Sequence, residues 1–584
     1  MVDRDAASPP LGSALSGDRT PGPPPMPAAQ SRPGPKSAVT VAEWVRGLAA
    51  AHGDHEAVVG SGGRLTYLDL DRESRSLARG LLARGVGKGT RIGLWLGNGP
   101  SWVVTFAAIA RCGAVAVPLS TFFSDEELAI VVRHADLQGI FIHPRFLGDD
   151  QRDRMAKALP ELSGEEAPPW TIKAAPYLRW VVSVDQSDEG PSWSRDLGWL
   201  VEGSASAAFD EDILAEAERE VHPDDDAIMI YTSGSTAMPK GVPHSHRTIM
   251  DKTHYLREWL SVEDGIRSYT AAPFFWVGGL TMSLFVVLDG GGTQFCTDRF
   301  LAGEVLALIG DERIERAVLY PHQINALLEH PDFAGADRSS LREADPRMLV
   351  STVDFQSGPD SLRIGLGMTE TFGGYWWGRP EPGEPGVPTA RLRSDRRPPP
   401  LEVLQPGMEL RVVDPAGQPV DDGDLGEVWL RGPTVTKGFY KTVRDEVFDT
   451  DGWFHTGDRV VVDGYRLHFQ GRLNDMVKTS GANVAPSEVV MALRQVDGVR
   501  EAYVLGLPDP VRGQVVVAAV ILEDGCSLTA DELHRALRAR LSTFKVPSSF
   551  VFLTEAEIPW TPSFKVRYVK LAELLAERID RSGH

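Results

Sequence analysis

From about Val39 the chain alternates helical patterns with short apolar runs, and nothing else in it restricts the fold as tightly. The stretch "TYLDLDRESRSLARGLLARGV" from Thr66 carries apolar residues at helical spacing, while "RIGLWLG", "AVAVPL", "GIFIH" and "RWVVSVD" are short and apolar. Parallel strands need a crossover to bring the chain back to the same edge of a sheet, and a helix is the usual crossover. The alternation therefore predicts an α/β architecture with largely parallel strands. It continues through "SYTAAPFF", "GGTQFC" and "AVLYPH".

A second regime begins near Leu401. There "MELRVVD", "GEVWLRG" and "RLHFQGR" are separated by turn signals such as Pro-Ala-Gly and Asp-Gly-Asp, which predict antiparallel strands and a β-rich α+β end piece. Beyond it lie two helical patterns, "APSEVVMALRQV" and "ADELHRALRARLS", and two strand patterns, "EAYVLGL" and "QVVVAAVIL". At 584 residues the chain is too long for one hydrophobic core. The expected organisation is a large N-terminal domain over 38–470, a hinge at 471–475 where a glycine and a polar pair meet a strand end, and a small α+β C-terminal domain over 476–584. Residues 1–37, with "SPPLGS", "TPGPPPMP" and "RPGPKS", have the composition of a disordered extension and lack the apolar segment of a secretory signal.

The composition, 42% hydrophobic and 24% charged, suits a packed globular protein. A formal net charge of −21 argues against nucleic acid or an anionic membrane as the main partner, because a phosphate-rich surface would be repelled at long range. An anionic ligand must be held locally. Cys112, Cys296 and Cys526 lie far apart without metal-ligand spacing, as a reducing compartment permits, and are expected to be buried thiols of a cytoplasmic protein. The most apolar long window, "SWVVTFAAIARCGAVAVPL", is interrupted by Arg111 and reads as a core helix followed by a strand, so no membrane span is expected.

The stretch "IMIYTSGSTAMPKGV", residues 228–242, runs from apolar residues through Tyr231 into Thr232, Ser233, Gly234, Ser235 and Thr236 before Lys240. A tight loop of backbone amides and hydroxyls can wrap phosphate oxygens, because each donor meets part of the anion's charge without a bulky side chain in the way. A lysine adds one point charge. The stretch is not a Walker A loop, since Gly234 is followed by Pro239-Lys240-Gly241 rather than by Gly-Lys-Ser/Thr. On its own "SGST" is as readily a solvated turn; the full string "YTSGSTAMPKGV" is far more specific.

That string resembles the signature loop of the adenylate-forming superfamily, which includes acyl-CoA synthetases, luciferases and the adenylation domains of nonribosomal peptide synthetases. Further matches follow in collinear order: "GMTETFG" from Gly367, "GEVWLRG" from Gly426, "DGWFHTGD" from Asp451, "GRLNDMVKTSGANVAPSEVV" from Gly471 and "IPWTPSFKVR" from Ile558. The resemblance implies a small mobile lid formed by the C-terminal domain, with ATP, Mg²⁺ and coenzyme A taking part. A carboxylate attacks the α-phosphate of ATP, and a thiol then displaces AMP.

By the same resemblance Thr232 to Thr236 and Lys240 would surround the phosphates that leave as pyrophosphate. Glu370 would ligate Mg²⁺, a hard cation that prefers carboxylate oxygen. Met368 and Thr369 would meet the nucleotide, Thr369 at the α-phosphate. Asp458 would accept from the two ribose hydroxyls, which suits a group with two acceptor oxygens, and Arg472 would reach ribose or phosphate. Lys565 is the expected adenylation residue, its ammonium stabilising charge that exists only while the bond forms. Rotation of the lid at Asn474 would then bring "KTSGAN", with Lys478 and Gly481, to line the tunnel for the thiol arm. Taken singly these residues have blander readings: a Thr-Glu pair is usually a helix N-cap, and an Asp after Gly a turn residue.

The acid is expected against "APFFWVGGL", where Phe275, Trp276, Val277 and Gly278 would wall the pocket and select a hydrophobic carboxylic acid; a plain aromatic core cluster is the competing reading. Several positions depart from the pattern. Ala237 stands where glycine is commoner, Leu366 where an aromatic residue commonly precedes "GMTE", Asn474 where the hinge is usually charged, and Phe564 where glycine usually precedes the lysine; the segment 341–366 is also short. The leading expectation is an ATP-dependent acid:CoA ligase. Two alternatives stay open: an adenylating enzyme that passes the acyl group to an amine or to a carrier-protein thiol, the carrier coming in trans, and a relative that completes only one half-reaction or none. A homodimer is compatible with the sequence.

Overall fold

The computed structural model describes residues 39–164, 168–184, 190–204, 210–232, 239–344, 348, 365–378, 402–405, 407–463, 466–472, 476–523, 525–559, 566 and 568–582. The apolar runs are the strands of two sheets. A seven-stranded sheet runs, edge to edge, Lys240–Ser245, Asp226–Thr232, Val115–Pro118, Arg91–Trp95, Gly139–Ile142, Trp180–Ser183 and Ser194–Asp196, and is parallel except for the first pair. A five-stranded sheet runs Arg316–Val318, Arg267–Thr270, Thr293–Cys296, Glu56–Gly60 and Gly63–Thr66, antiparallel only at its last pair.

Helices Val41–His52 and Tyr67–Ala83 begin at capping boxes, Thr40 with Glu43 and Thr66 with Asp69, which satisfy amides that the first turn leaves open. With the helix Pro100–Arg111 they share one apolar core that takes in Val58 and Cys296 from one sheet and Leu94 and Ile228 from the other. Arg111 is fully buried there, its guanidinium donating to Ser74 at 3.0 Å and pairing with Asp71 and Glu218.

The β-rich piece is antiparallel, as its turn signals require: Glu409–Val413, Leu425–Arg431, Phe454–Asp463 and Arg466–Arg472 are successive neighbours. In the small C-terminal domain Val499–Asp509 and Gly513–Leu522 form a long antiparallel pair, joined by the parallel strand Ser549–Phe552 and the hairpin Val477–Thr479/Ala482–Val484. Helices Pro486–Arg494 and Ala530–Arg538 cover one face through Leu493 and Leu537. Tyr568–Ser582 covers the other through Leu571 and Leu575. The hairpin and the strand Ser549–Phe552 escaped sequence patterning because they are short; the last helix was missed although its leucines recur at helical spacing. Cys526 differs from expectation: Cys112 and Cys296 are buried, but Cys526 is half-buried, lying in a turn rather than in a core. Among the described residues no helix is long and apolar enough to cross a membrane.

Candidate active site

Thr232 and Lys240 pair across the antiparallel hairpin and so close the phosphate-loop candidate; Ser233, Gly234, Ser235 and Thr236 lie outside the described residues. Both flanks of the loop are tied to the end of the helix Asp125–His134. The Tyr231 hydroxyl is 2.8 Å from His134 Nδ1, and Tyr440, whose N–H donates to the Gly241 carbonyl at 2.8 Å, donates its hydroxyl to Asp136 at 2.8 Å. Lys240 Nζ sits 4.8 Å from the centre of the Phe439 ring, a cation–π contact that orients the ammonium. Thr232 and Lys240 both line a cavity of about 750 Å³.

Met368, Thr369 and Glu370 form the next part of its wall. The strand Gly365–Met368 ends in a single tight turn, Thr369–Thr371, and the chain reverses through Phe372 at φ +50° and Gly373 at φ +103°. The turn is anchored through its backbone: the Thr369 carbonyl is 2.7 Å from His244 Nε2, and the Glu370 carbonyl accepts from the Thr436 N–H at 2.7 Å. Burial holds the His244 imidazole neutral, its pKa pushed down to about 3, so Nε2 carries the proton it gives to Thr369. With both carbonyls tied back, the two side chains are left on the cavity wall.

Phe275, Trp276, Val277 and Gly278 make the apolar wall. Asn98 fixes this motif from both sides, donating to the Ala272 carbonyl and accepting from the Phe274 N–H, each at 2.9 Å. Phe274 turns into the core against Trp102, with ring centres 5.6 Å apart. Gly279 is required by close approach, because a Cβ there would lie 2.1 Å from the Pro273 carbonyl oxygen. Phe122 meets Phe275 edge-on at 5.3 Å.

The C-terminal domain supplies the remaining side. Met476, Gly481, Ala482, Asn483, Phe544 and Lys545 line the same cavity. Gly481, at φ +84°, presses on Tyr320, where an added Cβ would lie 2.6 Å from Cε1. Phe544 stands 6.1 Å from Phe122 and 6.3 Å from Trp276, both edge-on, so an aromatic cluster spans the two domains.

The AMP-binding enzyme profile matches residues 45–440, and that of the AMP-binding enzyme C-terminal domain matches 488–565. The chain belongs to the AMP-binding enzyme family. It is an acyl-CoA synthetase of the adenylate-forming superfamily. Feruloyl-CoA synthase from an Amycolatopsis species is 31% identical over 521 residues, covering 88% of this chain and 94% of its own. Acyl-CoA ligase sidI of Aspergillus fumigatus is 28% identical over 571 residues, covering 93% and 92%. Among solved structures, the amide bond synthetase McbA from Marinactinospora thermotolerans superposes with a TM-score of 0.70 at 24% identity, over 92% of this chain and 99% of its own, and so shares the fold.

The other expected site residues of this AMP-binding enzyme lie off the cavity wall or outside the described residues. Asp458 is buried behind the wall formed by His455, Thr456 and Gly457, where it accepts from the Tyr375 hydroxyl at 3.2 Å. Arg472 is its strand neighbour, described in its backbone alone. Lys478 is exposed beside the cavity, not on its wall, with its N–H donating to Gln514 at 2.8 Å. Asn474 and Lys565 lie outside the described residues. Leu366 packs in the core of the β-rich piece with Trp376 and Val428. The aromatic surfaces on that side of the cavity belong to Phe439, Phe448 and Phe454. Sequence reasoning missed Tyr320, Phe439, Phe544 and Lys545, while Asn483 closes the expected "KTSGAN" stretch; "TFKVP" and "KGFYK" hold aromatic-lysine pairs that were the available signal.

Proposed function

We propose that this enzyme joins a hydrophobic carboxylic acid to coenzyme A through an acyl-adenylate, both steps taking place in the one cavity. What supports this reading is that Thr232, Lys240, Thr369 and Glu370, the apolar wall Phe275 to Gly278, and Gly481 of the C-terminal domain all line the same space. A carboxylate and ATP are both anions, so the site must neutralise charge and align the attack more than it must supply a covalent group. The acid's oxygen bonds to the α-phosphorus as the bond to the β-phosphate breaks and pyrophosphate leaves. Lys240 and the loop it closes would hold that departing group, and Thr369 would donate to the α-phosphate. The thiol of CoA then adds to the acyl carbonyl, and AMP leaves with the carboxyl oxygen.

Among the described residues no cluster of three or more His, Cys, Asp or Glu could hold a metal alone. Of the carboxylates on the wall, Glu370 lies beside Thr369 and fits Mg²⁺ brought in on ATP, because that cation keeps phosphate oxygens and water as its other ligands. When bound it would neutralise phosphate charge. Once the nucleotide and lid are in place, Lys565 would stabilise the charge that develops in adenylate formation, Asp458 would accept from the ribose hydroxyls, and Arg472 would reach ribose or phosphate. The test is ATP–pyrophosphate exchange with a panel of acids. Exchange with aromatic or aliphatic acids, lost in Glu370→Ala, is expected; exchange with polar amino acids alone would overturn the reading.

A further inference from the structure

One buried charge cluster outside the reacting groups joins the two domains. Lys545 Nζ lies 2.6 Å from Glu127 Oε1 and 2.8 Å from Glu488 Oε1, and the three residues are only 4%, 4% and 9% exposed. Glu127 belongs to the large domain, at the start of the helix Asp125–His134, while Lys545 and Glu488 belong to the small one. The second Glu127 oxygen accepts from Ser542 Oγ at 2.6 Å and from the Ser124 N–H at 2.8 Å. Ser124 Oγ in turn donates to the Arg540 carbonyl at 2.9 Å. The strip 540–545 is therefore bound to one helix terminus at three points, and its Phe544 is the residue that meets Phe122 and Trp276 over the cavity.

The helix needs only one of these oxygens. Its capping box is complete with Glu127 Oε2 on the Ser124 N–H and Ser124 Oγ on the Glu127 N–H, leaving Oε1 directed across the interface. A buried ion pair gains little over apolar packing in free energy, because both charges lose water, but it is satisfied in one register only. At an interface that opens, both groups regain water, so such a pair selects an arrangement rather than welding it. Lys545 keeps Glu488 within its own domain, and so loss of Glu127 leaves no orphaned ammonium there.

We propose that Glu127 is a positioning residue for the second half-reaction: it latches the C-terminal domain, through Lys545 and Ser542, in the arrangement that holds Gly481 against Tyr320 inside the cavity. This rests on the two-step reading above. Adenylate formation is attributed to another lid arrangement and does not use the latch.

Glu127→Gln tests it, with Ser542→Ala as a milder variant of the same contact. Acid-dependent pyrophosphate exchange should stay within about twofold of the parent, while single-turnover transfer from bound acyl-adenylate to CoA should slow about tenfold or more. Hydrogen exchange should rise over residues 476–484 and 540–548 without a fall in the thermal midpoint. Transfer at the parent rate, or a parallel loss of both half-reactions with the midpoint, would overturn the latch. If no acid supports exchange in the parent protein, the two-step reading fails instead, and the hydrogen-exchange comparison alone decides whether Glu127 holds the domains together.

Discussion

Replacing Gly481 by alanine should separate the two half-reactions. The residue sits at φ +84°, where a side chain bearing Cβ costs roughly 1–2 kcal/mol in backbone energy. The new Cβ would also lie 2.6 Å from Tyr320 Cε1, well inside ordinary contact distance, so the ring or the hairpin must shift. Overpacking of this kind typically costs a further 1–3 kcal/mol or so. Together about 2–5 kcal/mol falls on the arrangement in which the hairpin enters the cavity, equivalent to roughly a thirtyfold to several-thousandfold loss of its population or rate. An arrangement with the hairpin withdrawn escapes the contact with Tyr320. Rapid-quench single turnovers, starting from enzyme-bound acyl-adenylate and adding CoA, should therefore slow by about that factor, with pyrophosphate exchange nearly unchanged. A loss of transfer below about threefold, or an equal loss of exchange, would refute the steric argument.

His244→Leu removes the donor from the Thr369 carbonyl and should cost roughly 1–3 kcal/mol in kcat/KM for ATP, with KM for the acid little altered; because burial keeps this imidazole neutral, the pH–rate profile between pH 5 and 8 should contain no group that disappears in the variant. Lys252 is buried with its ammonium on the Gly374 carbonyl at 2.7 Å and on Gln405, and desolvation pushes its pKa down from 10.5 to about 7. Between those values the unfolded chain holds the proton and the folded protein does not, so stability should rise with pH from about 7 to 10.5, and denaturation of Lys252→Met should lose that slope. Arg111→Met takes one of two arginines from the buried Glu218 carboxylate, leaving Arg46, and removes the partner of Asp71; it should lower unfolding free energy by about 1–3 kcal/mol in chemical denaturation, with a loss under about 0.5 kcal/mol counting against the idea.

The parallel sheets were legible because strands such as Ile92 to Trp95 and Val181 to Ser183 are continuous apolar runs between helical patterns. Thr232, Lys240, Thr369, Glu370, Phe275 to Gly278 and Gly481 were legible for a related reason: each lies in a contiguous string whose chemistry is local to a single turn or loop. Tyr320 was not, since it reaches the cavity only because a helix happens to begin there, at Pro321–Leu328, opposite the Gly481 hairpin. Glu127 and Lys545 stand 418 residues apart and carry no local signal; only the docking of two domains makes them partners. Asp458 shows the converse limit, a motif residue whose place behind the wall depends on how the strand Phe454–Asp463 turns its side chains, with Tyr375 taking one oxygen.

The most direct measurement of the central claim is mass-spectrometric product analysis with Mg-ATP and a panel of aliphatic, aromatic and polycyclic acids, each with and without CoA, beside a Lys565→Ala control. Acyl-CoA formed only when CoA is present, in equal amount to AMP, and abolished in the control is the predicted result. Acyl-adenylate and pyrophosphate accumulating with every acid while CoA is left unconsumed would contradict it.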